Sequence, residues 1–241
     1  MLLPVLAKAK TRAEAIGCLN NLKQMQLGWI MYADDHDEIM VPNGALSAPL
    51  NYSWVSGDYM GWDFEIANTN YNILKVGLLS AYLRNGVSAY RCPGDKVPSK
   101  NGIRVRSFSM NSQMGHQRSG PPDYYNPPNF NTGFKIFKKR TELAGQFSPS
   151  IAWIFLDEHP GSLNDGFFQV GMISASFPDL MASRHNNACG FSFADGHAEI
   201  HKWRDPRTIK PEARGVTWQN VGSAPSSPDW MWMTNHSTIK Q

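Results

Sequence analysis

The chain has 241 residues, 41% of them hydrophobic and 18% charged, so it is long and apolar enough to bury the core of one large or two small domains. A net charge of +3 with scattered basic residues excludes a nucleic-acid-binding protein; the one basic run, Lys135, Lys138, Lys139 and Arg140, reads as a solvated face. The three cysteines, Cys18, Cys92 and Cys189, lack the CxxC spacing of a zinc knuckle or thioredoxin-like motif, and no apolar run reaches the ~18 residues that span a bilayer.

In chain order, the first predicted element is a long helix over residues 2–33. Leu2, Val5, Leu6, Ala9, Ala13, Ile16, Leu19 and Leu22 fall at intervals of three and four, an amphipathic spacing. In the later half a bulkier stripe, Cys18, Leu22, Met25, Trp29 and Tyr32, takes over and is expected to pack on the rest of the protein. The polar run Asp34, Asp35, His36, Asp37 ends the helix. Residues 40–70 alternate turn formers (Pro42, Asn43, Gly44, Pro49, Gly57) with Trp54, Tyr59 and Trp62, an aromatic loop region. A short helix is predicted over 72–84, stopped by Asn85-Gly86. Tyr90-Arg91-Cys92-Pro93 reads as a strand entering a turn, and Val105–Met110 as another strand. Residues 115–133, dense in Pro, Gly and Asn, read as a surface loop or a lip for carbohydrate or polymer.

Later come an apolar strand at Ile151–Leu156 and a strand resuming at Phe167–Met172, with a polar connection between them. In that connection Asp157, Glu158, Asn164 and Asp165 offer hard oxygen donors beside Gly161 and Gly166. They suit either a calcium-type site or ordinary Asx turn chemistry. Ala188–Ala194 and His197–Trp203 flank Asp195-Gly196, which predicts a two-residue type I′ hairpin. That turn would pair Ala194 with His197, Ser192 with Glu199 and Gly190 with His201. It would place Cys189, Phe191, Phe193, Ala198 and Ile200 on a core face. The opposite face would hold Ser192, His197, Glu199 and His201, where His-x-Glu-x-His is either a divalent-metal set or a solvated polar face. The cysteines permit three separate thiols or one Cys18–Cys92 disulfide, since Cys18 lies on the inward stripe and Cys92 at a turn. Cys189, on the core face, then stays a buried free thiol.

The opening run MLLPVLAKAKTRAEAIGCLNNLKQMQLGWIMYADDHD resembles the part of a type IV prepilin or type II secretion pseudopilin helix that follows its hydrophobic membrane segment. His185, nine further residues, then Asp195-Gly196 is similar to the pattern of a large group of pilin-like, prepilin-processing-associated proteins. The surrounding RHNNACGFSFADGHAEIHKW, FLDEHPGSLNDGFF, YRCPGDK with VRSFSMN, and DWMWMTNHST also resemble that group. The chain starts at the family's Leu-Leu-Pro, so a processing site and membrane segment are expected upstream of it.

The resemblance implies an α+β, pilin-like fold: a long N-terminal amphipathic helix (1–35) packed on an antiparallel sheet within a head (36–241) with large irregular loop insertions. It implies a structural subunit, or a minor or tip component, of a type II secretion pseudopilus or type IV pilus-like filament. The expected partners are other pilin-like subunits, the secretion machinery and a surface polymer. The expected place is the cell envelope, periplasm or exterior, with inner-membrane anchoring only through the preceding segment. No catalytic residue and no cofactor beyond possible calcium is expected, since no P-loop, G-x-S-x-G, G-x-G-x-x-G or HExxH is present. Two rival classes remain: a carbohydrate- or surface-binding module, and a metal-dependent hydrolase built on His185, Asp195, His197, Glu199 and His201 with Asp157 and His159 nearby.

Overall fold

A computed structural model describes residues 3–46, 52–56, 58–115, 130–145 and 147–241. The first helix, α1 (Leu3–Asp34), has 32 residues and so runs about 48 Å. No described helix is long and apolar enough to cross a membrane. Burial along α1 is uneven. Val5, Leu6 and Ile16 are 60–67% exposed, whereas Cys18, Leu22, Met25 and Trp29 are fully buried and Tyr32 nearly so. The predicted second stripe therefore packs on the body, and the first stripe meets solvent as far as residue 16.

The short helix is real only at α2 (Asn72–Lys75); beyond it residues 76–85 form turns, with Arg84 and Asn85 at positive φ. Residues 87–90 form a 3₁₀ turn, and the strand expected at Tyr90-Arg91-Cys92-Pro93 does not form. Strands β1 (Phe108–Asn111), β2 (Trp153–Asp157), β3 (Phe167–Phe168), β5 (Ala188–Phe193) and β6 (Ala198–Lys202) make one sheet in the order β3-β1-β2-β5-β6. The expected antiparallel sheet is thus mixed: the connection from β2 passes β1, and β3 pairs parallel with β1 on its far side, Met110 opposite Phe167. Strands β4 (Ser176–Phe177) and β7 (Val221–Gly222) form a separate antiparallel pair. A last helix, α3 (Pro228–Ser237), starts with Pro228 at its first turn, where a missing N–H costs nothing.

The sheet has a core on each side. Cys18, Leu22, Met25, Trp29, Trp54, Tyr90 and Phe155 pack between α1 and the sheet. Trp153, Leu156, Phe168, Phe191, Phe193, Trp203 and Met233 pack on the other face, under α3. Strand β5 is consequently buried on both faces, which explains its unbroken apolar and small-residue run.

The β5–β6 register departs from the predicted one by a single residue. Ser192 opposes Ala198, Phe191 opposes Glu199, Gly190 opposes Ile200 and Cys189 opposes His201. The cause is the turn: Phe193 N–H donates to His197 O and Gly196 N–H to Phe193 O, and Gly196 alone has positive φ (100°). This is a three-residue loop with glycine in the bulge position, not a type I′ turn. Because side chains alternate, the slip separates residues assigned to one face. Gly190, Ser192, Ala198 and Ile200 face α1, with Ser192 Oγ donating to Gln26 Oε1 at 2.9 Å. Cys189, Phe191, Phe193, Glu199 and His201 share the other face.

Candidate functional site

Four elements deliver a cluster of ligating side chains to the junction of α1 and the sheet. Cys18 is the first buried residue of α1 among those described, Cys92 follows the 3₁₀ turn at 87–90, Asp157 ends β2, and His185 precedes β5. One atom from each lies within 4.8 Å of all the others, and no other group of three or more His, Cys, Asp or Glu side chains gathers in this way among the described residues. All four are buried.

Close backbone approach makes this possible. A Cβ on Gly190 would stand 2.8 Å from Leu22 Cδ1 and 3.0 Å from Cys18 Sγ, and one on Gly17 would stand 2.9 Å from Pro93 Cγ. Glycine at both places lets α1 sit against β5 and against the Cys92-Pro93 turn. Within that turn, Gly94 N–H donates to Cys92 Sγ at 3.3 Å, and Cys92 N–H donates to Ser107 Oγ at 2.9 Å. Ser107 Oγ then donates to Asp157 Oδ1 at 2.7 Å. Asn186 and Asn187, both at φ 61°, turn the chain tightly after His185, whose N–H reaches Ala188 O. The His185 ring places Nε2 3.3 Å from Cys92 Sγ.

Arg184, 3% exposed, faces Asp157, Asp95 (3.6 Å) and Glu212 (3.0 Å). Arg91 lies 3.7 Å from Asp95. Two guanidinium groups thus meet three carboxylates, and the buried Arg104 adds its charge near Asp95 and Glu212. Burial opposes ionisation of Cys92, but hydrogen bonds with Cys18 and His185 and the Arg184 charge outweigh it and hold this thiol well below its ordinary range. Burial and the neighbouring Cys92 push the Cys18 thiol well up. Burial raises Asp157 well above the usual carboxylate range, against the pull of Arg184.

The sequence-predicted sites are distributed differently. Asp157, Glu158, Asn164 and Asp165 do not share a cation cage. Alternation along the end of β2 sends Asp157 to the cysteines and Glu158 to the opposite side. There Glu158 accepts from Ser109 and Ser162, and burial pushes it up to about 7. Asp165 caps the N–H groups of Leu46 and Phe167 at 2.8 Å each, and Asn164 Oδ1 accepts from Asp165 N–H. This is turn chemistry.

His197 just before β6 and Glu199 and His201 on it do not form a ligand group. His197 stacks on Phe193 (4.2 Å) and pairs with Asp195 at 2.6 Å, Glu199 is exposed, and His201 stacks on Trp232 of α3 at 3.8 Å. At His201 the expected polar face is covered by α3, while Glu199 stays exposed. The hydrolase set is accordingly split, since His185 belongs to the cysteine cluster and His197, Glu199 and His201 do not. His185 does sit at the base of the hairpin with Asp195-Gly196 at its tip, as the nine-residue spacing predicts.

Cys18 and Cys92 are brought together, but as free thiols, and Cys189 is free and buried, donating to Asp157 O at 3.1 Å. Residues 116–129 of the predicted lip lie outside the described residues. Sequence reasoning missed the joining of Cys18 and Cys92 to His185 and Asp157, and the roles of Arg184 and Asp95. The signal available was the adjacency of charge to each motif, Arg184-His185 and Cys92-Pro93-Gly94-Asp95.

The architecture is a mixed α+β fold with a long N-terminal helix and a five-stranded mixed sheet. Comparison with protein-family models, with curated proteins and with solved structures finds no match to this chain.

Proposed function

We propose that the chain is a structural, pilin-like subunit of an envelope filament of the type II secretion pseudopilus or type IV pilus kind, and that it is not an enzyme. One observation carries the reading: α1 changes character at Cys18. From there its bulky stripe is buried in the body, while Val5, Leu6 and Ile16 before it present apolar surface to solvent. An isolated apolar stripe on a helix that leaves its domain is costly in water and favourable once neighbouring helices cover it. Filament assembly through bundled N-terminal helices supplies that cover, and the sheet with its loops then faces outward as the head. The sequence resemblance in the same helix and around His185 to Gly196 supports the same class.

A photo-crosslinking residue at Leu6 in the native cell tests this. Adducts to further copies or to other pilin-like subunits are expected from Leu6, and none from the exposed control position Ile173. Adducts to neither, or equally to unrelated soluble proteins from both, would reject the reading.

A second reading, a carbohydrate-binding head, draws on the groove of about 490 Å³ where Tyr59 and Trp62 meet Asp63, Glu65 and Arg214. Glycan binding that disappears in Tyr59→Ala would favour it, and it is compatible with a filament tip. Absence of any glycan binding would end it.

A further inference from the structure

We propose that Cys18, Cys92, His185 and Asp157 form a tetrahedral zinc site that fastens α1 to the sheet. The donor set is two sulfurs, one imidazole nitrogen and one carboxylate oxygen. Thiolate and imidazole donors select zinc over calcium or magnesium, which take oxygen. A tetrahedral zinc with bonds of ~2.3 Å to sulfur and ~2.0 Å to nitrogen sets its ligand atoms roughly 3.3–3.8 Å apart. The Cys92 Sγ to His185 Nε2 separation is 3.3 Å, and all four donors lie within 4.8 Å of one another.

Observations independent of that proximity point the same way. Asp157 Oδ2 is fully buried and has no hydrogen-bond partner among the described residues. Buried polar atoms are nearly always satisfied, so open ones mark where a ligand or water belongs. Cys92 Sγ accepts a backbone N–H from Gly94, an arrangement that stabilises a thiolate. Asp157 Oδ1 is held by Ser107 and Arg184, which orients the carboxylate and leaves Oδ2 for the ion.

Successive ligands, Cys18, Cys92, Asp157 and His185, are 74, 65 and 28 residues apart, so no short motif advertises the site. Its position also has a consequence. Cys18 begins the buried stripe of α1, so a metal there fixes the angle at which the helix leaves the sheet.

The test uses the full chain, purified reduced and stripped of metal, then titrated with Zn²⁺ or Co²⁺ alone. The expected result is stoichiometric zinc by elemental analysis and a raised Tm. With cobalt, sulfur-to-metal charge-transfer bands and the intense visible bands of a tetrahedral ion are expected. Cys189→Ser, which removes the buried thiol outside the group, should bind as the parent does. Cys92→Ser and His185→Ala should lose the charge-transfer bands or the stoichiometry, with folding checked by circular dichroism. If those variants fail to fold, the cobalt spectrum of the parent chain still decides. No metal bound by the reduced parent overturns the proposal. So does octahedral cobalt without thiolate bands, or a Cys18–Cys92 disulfide in the native protein whose reduced form takes up no zinc. None of these outcomes bears on filament assembly, which crosslinking at Leu6 reads separately.

Discussion

Gly190 is where a strand buried on both faces admits a helix at close range. Replacing it with alanine drives a Cβ to 2.8 Å from Leu22 Cδ1 and 3.0 Å from Cys18 Sγ. Neither neighbour has room to retreat, because both are fully buried. Gly190→Ala should therefore destabilise by about 1–3 kcal/mol, the usual cost of overpacking, read as a lower midpoint in urea at unchanged slope. An unchanged midpoint would mean that α1 is not seated as described. The residue types at this junction were legible in sequence: Cys18 on an inward stripe, Cys92 at a turn, His185 at a hairpin base. Their convergence was not, because each sits on a different element and only tertiary packing joins them. Asp157 was misread for a related reason. It is followed by oxygen-rich turn residues that suggest a local cage, but strand alternation turns its carboxylate away from them.

At the scale of the element, α1 behaves as two helices end to end. Leu22→Ala in the buried half should cost about 2–5 kcal/mol, the range for emptying a leucine site in a core. Leu6→Ala, at a position 67% exposed, should stay within about 0.5 kcal/mol. Equal effects from the two would contradict the division at Cys18.

Strand β6 makes a second prediction through α3. Burial against Trp232 lowers His201 to about 4; the nearby His236 and Arg204 charges act in the same sense, and Asp229 opposes them. Below an ordinary value near 6.5 the unfolded chain takes up a proton that folded His201 declines until about pH 4. This contribution to stability is present above pH 6.5 and is lost as the pH falls towards 4. A nuclear magnetic resonance titration should place His201 near 4 in the parent chain and closer to 6.5 in Trp232→Ala; an ordinary midpoint in the parent would refute the stacking. The helix, its inward stripe and a strand at each of the five positions of the sheet could be read from periodicity, apolar runs and turn residues. The register could not. Asp-Gly is compatible with both a two-residue and a three-residue turn, and the shift of one residue reassigns every face. Helix α3 escaped prediction because Asp229-Trp230-Met231-Trp232-Met233 lacks a clear 3.6 period, and its helical state comes from covering the sheet.

For the whole molecule, the sheet carries a core on each face, and the head is complete without the first half of α1. In the proposed reading, the exposed apolar residues Val5, Leu6 and Ile16 are where the helix would associate with neighbours in an envelope filament. Sequence supplied the class of fold because a long two-character helix followed by short apolar strands admits few arrangements. It could not supply the mixed sheet, in which β3 pairs parallel with β1 at the far edge. The most direct measurement is the location of the protein in its native cell. Cells are sheared to release surface filaments, the envelope and cytosol are separated, and each fraction is probed with antibody to the head. Recovery in the envelope and sheared-filament fractions is the predicted result, with loss from the filament fraction when Val5 and Leu6 are both changed to Glu. Recovery in the cytosol alone, unaffected by those changes, would contradict the account.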